Sequence, residues 1–437
     1  MCSIEKFDRF IKSQAMNRIF SMLYGRESQI KENQTKRYLK LIDSFKTHFD
    51  DTNTIHLFTT PGRTEIGGNH TDHNNGLVIA ASVNLDSIAA AAKTEDERIT
   101  LYSEGYDEPF VLSLNNLTPI KEEEGTTTSL IRGIAARLKH LGYAIGGFNA
   151  EVKSDVLVGS GLSSSASIEV LIATIFNELY NNGKISRLTM AKVGQYAENI
   201  YFGKPCGLMD QITCSVGGMV TIDFKDTTNP VVKKIEFDFA KQKYRLVVVN
   251  TGGGHADLTE EYGSIPEEMK RVAKRLGAET LRNTSLESIL DHVAALRSEI
   301  GDRAILRAIH YFEDNRRVTK QVEALENNNF DRFLCLVNES GNSSFKWLQN
   351  CYRPQDSINQ PIALALAITE HFIKNRQGGA CRVHGGGFAG TIQAFIHEND
   401  IEEYRKIIER CFGKDSVKIL RIRPKGTLYI NKMIDHP

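Results

Sequence analysis

An α+β fold in two domains is predicted by three observations. The chain has 437 residues, well beyond the roughly 150 that one ordinary domain uses. Strand-like and helix-like segments are mixed along its whole length, and no repeat or low-complexity tract interrupts them. Hydrophobic residues make up 41% and charged residues 25%, the mixture of a chain that buries a core.

Taken in order, the first 50 or so residues read as helices, because Tyr38, Leu39, Leu41, Ile42 and Phe45 form an apolar stripe near helical period. From Ile55 the pattern changes to a short strand, IHLFTTPGR, broken by Pro61 and Gly62, and a polar loop runs to Asn75-Gly76. LVIAASVNL then resumes as an apolar strand. Leu130, Ile131, Ile134, Leu138 and Leu141 mark a helix stopped by Gly142, and Phe148, Ala150 and Val152 alternate as a strand. YRLVVVN has the apolar run of a buried strand. Helical stretches follow from about Pro266 to Lys374, and the end reads strand (GACRV), glycine loop (HGGGFAG), strand (TIQAFI), helix (IEEYRKIIERCF) and strand (VKILRIR). The expected division is a first domain over 1–230, with a helical extension over 1–54, and a second over 231–437.

Charge excludes some partners. Lys plus Arg and Asp plus Glu are 54 each, so no overall field favours nucleic acid or an anionic membrane. The N-terminal MCSIEKFDRFIKSQ carries charge in every turn, unlike an export signal, and no stretch reaches the 18 or so apolar residues of a membrane span. A cytoplasmic location is therefore expected. Seven cysteines without CxxC spacing suit reduced thiols better than a disulfide framework or a zinc site.

The clearest chemistry lies in GSGLSSSASIE, residues 159 to 169, between a strand and a helix whose Ile168, Leu171, Ile172, Ile175, Phe176 and Leu179 share one face. Gly159 and Gly161 let backbone N–H groups crowd together. Ser160 and Leu162 complete the turn, and Ser163, Ser164 and Ser165 add hydroxyls at the positive end of the helix dipole. The pattern is an anion cradle; a plain serine-capped helix is the alternative. Other phosphate signatures fail: no Gly-Lys pair completes a P-loop, and Gly385, Gly387 and Gly390 precede a strand where a dinucleotide fold needs a helix. No G-x-S-x-G surrounds the serines, which argues against a hydrolase nucleophile elbow.

PGRTEIGGNHTDHNNG places Arg63, Asn69, His70, Asp72 and His73 within eleven residues, donors and acceptors suited to a polyhydroxylated ligand. A metal site on His70, Asp72 and His73, or a turn knitted by Asx hydrogen bonds, are the alternatives for this loop taken alone.

Together with VGSGLSSSAS and HGGGFAG, this loop resembles the sugar kinases of the GHMP superfamily, most closely the galactokinases. Two further stretches add to the likeness, YAENIYFGKPCGLMDQ and NTGGGHADLTEEY, and the five motifs follow one another in the family's order. The resemblance implies a two-domain GHMP kinase fold with mixed and antiparallel sheets and an active site in the cleft between domains. It implies transfer of the ATP γ-phosphoryl group to the anomeric hydroxyl of a hexose, with ATP as co-substrate and Mg2+ as cofactor. It further implies that Asp210 accepts or orients the sugar's proton and that Arg63 keeps that carboxylate ionised. Glu198 and Ser163 would hold magnesium, Gly159 to Ser165 would bind ATP, and Asn69, His70, Asp72, Tyr262 and Gly386 would meet the sugar. Outside that context the preferred readings are a solvated helix charge for Glu198 and a cap for Asp210. The sugar and ATP are the expected partners; no protein partner is implied.

Several positions depart from the family's signature. Asn69 stands for a glutamate, Glu65 for an asparagine, Gly67 for an apolar residue, His73 for a tyrosine and Leu157 for a proline. In galactokinases the glutamate helps to bind the sugar's C6 hydroxyl. Three readings follow: phosphorylation of galactose with an altered pocket, phosphorylation of a related sugar such as galacturonate, and a silent sugar sensor. The intact Ser165-Ala166 pair, with Asp210 and Arg63, argues against the sensor.

Overall fold

The computed structural model describes residues 9–49, 54–156, 161–252, 258–388 and 390–435. The strands, in chain order, are β1 (His56–Gly67), β2 (Leu77–Lys93), β3 (Arg98–Ser103), β4 (Phe110–Ser113), β5 (Phe148–Ser154), β6 (Met219–Asp223), β7 (Val231–Ile235), β8 (Tyr244–Asn250), β9 (Gly379–His384), β10 (Thr391–His397), β11 (Val417–Leu420) and β12 (Leu428–Tyr429). They form two sheets. An eight-stranded sheet runs β12-β1-β2-β5-β3-β4, with β6 on β2 and β7 on β6, and a four-stranded sheet runs β11-β8-β10-β9. The β3–β5 pair is parallel, while the four-stranded sheet is antiparallel throughout.

The first sheet does not end at residue 230, because β7 extends it to Ile235 and β12 returns to it from the chain's end. β1 also differs from its sequence reading. It continues through Pro61-Gly62, where the register against β2 shifts between Pro61 and Arg63. A bulge accommodates the missing N–H of proline without ending the strand. β3, β4, β6 and β7 were not legible as strands; RITLYS and FVLS are short and lie at the sheet's far side, with exposed charge or polar residues among the apolar ones.

The helix expected from about Pro266 begins earlier, at Thr259, and runs to Arg275 with Pro266 inside it. Hydrophobic clusters show how the parts are joined. Ile11, Met16, Phe20, Tyr38, Leu41 and Phe45 of the N-terminal helices pack on Leu57, Ile88 and Ala90, so the extension covers one face of the first sheet. Ile66, Ile79, Val156 and Leu162 share a single core with Leu246, Val248, Val318, Phe333 and Phe395 of the second half. The two lobes are thus joined by buried apolar surface.

Candidate active site

Arg63 and Asp210 form the centre of the site. Arg63 sits just past the β1 bulge, and Asp210 is in the first turn of the helix Met209–Val216. Arg63 Nε donates to Asp210 Oδ1 and Nη2 donates to Oδ2, both at 2.6 Å. Nη1 donates to the carbonyl of Gly161, and the Arg63 backbone N–H donates to the carbonyl of Leu162 at 3.0 Å. One arginine therefore ties the end of the serine loop to the carboxylate. Bidentate geometry fixes the carboxylate plane as well as its charge. Burial alone would raise the pKa of Asp210, but Arg63 and the Ser163 hydroxyl outweigh it and hold the group below its ordinary value.

The serine loop leads into the helix Ser164–Asn181. Gly159, Ser160 and Leu157 lie outside the described residues. Ser163, the residue before the helix, has φ +57° and makes no side-chain cap, a left-handed conformation uncommon for a residue with a Cβ. Its Oγ instead donates to Asp210 Oδ2. Ser165 Oγ donates to Glu198 Oε1 at 3.1 Å. In the structure Ser165, not Ser163, lies beside Glu198, and the left-handed turn at Ser163 points its hydroxyl to Asp210. Leu162 is fully buried in the core that joins the lobes and serves the site through its backbone.

Glu198, on the helix Arg187–Ile200, is held from three sides. Besides Ser165, Lys204 Nζ lies 3.3 Å from Oε1 and Gln211 Nε2 donates to Oε2 at 3.0 Å. Gln211 also donates to Glu169 Oε2 at 3.0 Å. Burial, and next the charge of Glu198, push the pKa of Glu169 well above the usual carboxylate range. Sequence reading missed Glu169, Gln211 and Lys204. The signal for Glu169 was its position in line with the buried Ile172 and Phe176 of the same helix, where a charged residue has to find partners.

The sugar loop departs further from expectation. Asn69 is fully buried. Its Nδ2 donates to Glu65 Oε1 at 3.0 Å and to the Gly385 carbonyl at 2.8 Å, while Oδ1 accepts from Asn350 at 2.8 Å and from Ser344 at 3.3 Å. All four hydrogen-bonding positions of the amide are used, so Asn69 braces the glycine loop and has no position left for a sugar. Its backbone N–H donates to Asp314 and its carbonyl accepts from His310. Glu65 in turn receives Arg382 Nη2 at 2.6 Å. The exchange of Asn and Glu between positions 65 and 69 is therefore reciprocal. The carboxylate stands at position 65, where it is bonded to Asn69 and paired with a buried arginine.

His70 has φ +58° and its Nε2 lies 2.9 Å from the Gly386 carbonyl. Burial, followed by the neighbouring His73, lowers its pKa to about 3; Nε2–H therefore donates to the carbonyl, and Nδ1 is a buried acceptor without a protein partner. The Asp72 carboxylate lies 3.8 Å from His73 Nε2 and against Gly207, where a Cβ would collide with it. Asp72 thus reaches the loop that carries Asp210. Gly386 is tight against the ring of Tyr262, not against an open space, and Tyr262 donates to the Gly387 carbonyl at 3.2 Å. His384, at the end of β9, bridges Thr64 and Thr391, both at 3.0 Å, and burial lowers its pKa to about 3. Among the described residues no group of three or more His, Cys, Asp or Glu is placed to hold a metal.

The chain has relatives among known proteins. Residues 129–218 match the family "GHMP kinases N terminal domain", and residues 43–93 match the "Galactokinase galactose-binding signature". The chain is 30% identical to the galactokinase of Glaesserella parasuis serovar 5 (strain SH0165) over 384 residues, covering 85% of this chain and 93% of the relative. It is 29% identical to the galactokinase of Streptomyces coelicolor over 84% of this chain and 91% of that one. Among solved structures, Lactococcus lactis galactokinase complexed with galactose superposes with a TM-score of 0.77 at 26% identity, covering 90% of this chain and all of the other. A mevalonate kinase shares the fold with a TM-score of 0.59 at 17% identity, covering 84% of this chain and 98% of that one. No helix among the described residues is long and apolar enough to cross a membrane.

Proposed function

Since the chain belongs to the galactokinase family of the GHMP superfamily, we propose that Arg63, Asp210, Ser163 and Ser165, the serines at the start of the helix Ser164–Asn181, carry out that family's reaction here. The reaction is ATP-dependent phosphorylation of galactose, forming galactose 1-phosphate and ADP. The observation that carries the residue assignment is the bidentate Arg63–Asp210 pair with the Gly161 carbonyl on the same guanidinium. It sets the sugar-facing carboxylate and the nucleotide loop at a fixed separation.

In-line phosphoryl transfer passes through a loose transition state, in which the attacking hydroxyl needs little activation before the phosphoryl group begins to move. A carboxylate held below its ordinary pKa is a weak base, so Asp210 orients the C1 hydroxyl first and takes its proton late. Arg63 holds Asp210 ionised and places positive charge beside the migrating group. The Ser163 hydroxyl, which donates to Asp210 in this structure, occupies a place where the C1 hydroxyl would donate instead.

Glu198 Oε1 and Ser165 Oγ are hard oxygen donors 3.1 Å apart, and magnesium commonly takes one or two protein oxygens with the rest from phosphates and water. They are the residues that would hold Mg2+. Bound with ATP, the ion neutralises charge on the phosphate oxygens. Gln211, which also donates to Glu169, keeps the Glu198 carboxylate in one orientation.

Galactose, not galacturonate, fits the sugar loop. A uronate carboxylate needs a cation or free N–H donors, whereas the Asn69 amide is saturated and Arg382 is paired with Glu65. The test is ADP release with galactose and galacturonate, with 31P NMR of the product. Galactose 1-phosphate is the expected product; a preference for galacturonate above about tenfold overturns the reading.

A further inference from the structure

The phosphoryl-transfer chemistry gives no task to the N-terminal helices, yet one arginine from them reaches the foundations of the nucleotide site. Arg37 belongs to the helix Ser28–His48. Its Nη1 donates to Asp86 Oδ1 at 2.6 Å, its Nη2 donates to the Asp86 carbonyl at 2.8 Å, and its Nε lies 3.1 Å from Asp155 Oδ2. The Asp155 backbone N–H donates to that same Asp86 carbonyl at 2.9 Å. Asp155 directly follows β5, on the chain leading to the serine loop.

From Asp86 the contacts continue into the helix that carries the serines. Ser87, the next residue, lies with its Oγ 2.9 Å from Ser167 Oγ and 2.9 Å from Ser154 Oγ. Ser167 Oγ is also 2.8 Å from the Thr60 carbonyl, three residues before Arg63. Ser87 and Ser167 are fully buried, so neither has water as an alternative partner. Ser167 sits two residues beyond Ser165 in the same helical turn. The strand segment Asp86-Ser87 thus holds the extension on one side and both ends of the nucleotide loop on the other. Asp86 is itself fully buried and bonded to Arg423 at 2.7 Å and Tyr24 at 2.6 Å.

We propose that Arg37 is a positioning residue for nucleotide binding: it clamps Asp86 to Asp155 and so fixes where Ser163 and Ser165 stand. On this view the extension is a brace for the ATP site and leaves the sugar site untouched. The inference rests on the phosphotransferase reading above, and its test separates the two by measuring nucleotide affinity directly, with a fluorescent non-hydrolysable ATP analogue and no sugar.

Two variants are needed, because Arg37 is in a packed region. Asp155→Asn removes the charge at the loop end of the clamp and leaves Arg37 Nε at most a neutral acceptor, at a side chain 47% exposed, and should fold. It is expected to weaken analogue binding and raise KM for ATP by roughly three- to tenfold, small displacements at a phosphate site being costly, with KM for galactose and Tm unchanged. Arg37→Met is expected to show a larger rise in KM for ATP, and Arg37→Lys, which keeps one contact, an intermediate one. If Asp155→Asn binds the analogue as the parent does, the proposal fails. It fails equally if Arg37→Met lowers Tm while KM for ATP stays at the parent value, since that is a structural role alone. Failure of galactose as substrate, with the analogue result intact, would overturn the sugar assignment and not the clamp.

Discussion

Asp210 illustrates how one side chain is tuned by its neighbours: burial pushes its pKa up, and a bidentate arginine with a serine hydroxyl pulls it below the ordinary value. Asp210→Asn keeps the shape but loses the proton acceptor and frees Arg63. Turnover is expected to fall by about 10²- to 10⁴-fold, with analogue binding within a few-fold of the parent; turnover near the parent level would remove Asp210 from the chemistry. Position 69 is the residue whose role changes most between sequence and structure. The family signature marks it as a sugar contact, and the sequence shows the opposite change at position 65 without showing that the two side chains bond to each other. Asn69→Glu would bring a second buried carboxylate against Glu65, with only Arg382 to serve both. It is expected to cost several kcal/mol, on the order of 3, read by urea denaturation, and to weaken galactose binding by disturbing the Gly385-Gly386 segment. A variant of parental stability that lost only activity on uronates would instead place the side chain against the substrate.

The helix Ser164–Asn181 and the turn before it carry the proposed nucleotide half of the site. Because Ser163 turns left-handed, successive hydroxyls diverge, one to Asp210 and one to Glu198. Ser165→Ala is therefore expected to raise the magnesium concentration needed for half-maximal turnover, while Ser163→Ala leaves that concentration unchanged and alters kcat. The reverse pattern, in a titration of each variant with magnesium at fixed ATP, would restore the assignment suggested by the motif. Much at this scale was legible. The stripe Tyr38, Leu41, Ile42 and Phe45 marked a helix because those residues do face one core, and YRLVVVN marked a strand because β8 is central in its sheet. What was not legible has local causes. Pro61-Gly62 looked like a strand end because a bulge needs a partner strand to be seen, and β3 and β4 lack a continuous apolar run. The direction of each loop hydroxyl depends on φ at one residue, which composition does not encode.

Across the whole molecule, the lobes meet through an apolar core bordered by ionisable groups that burial holds in one state. His384 spans both lobes, touching Thr64 of β1 and Thr391 of β10. It is neutral in the folded protein with a pKa of about 3, lowered first by burial and then by Arg63 and Arg382. In the unfolded chain a histidine titrates near 6.5. Between these values the unfolded state binds the proton and the folded state does not, so stability falls as pH falls from about 6.5 towards 3. His70 acts in the same sense over the same window. Asp86, Asp210 and Asp314, held below the usual carboxylate range, extend the loss to lower pH. Glu65 and Glu169 oppose it, since their raised pKa values make their burial less costly once they are protonated. The contribution of His384 is isolated by comparison with His384→Gln, which preserves a donor and an acceptor but does not titrate. The stability difference between parent and variant should shift by about 2 kcal/mol against the parent between pH 7 and pH 5, measured by urea denaturation at both values. The result depends only on the folded pKa lying well below 5. A difference that stays constant with pH would mean that His384 takes up its proton inside the folded protein, and that the joint between the lobes admits charge.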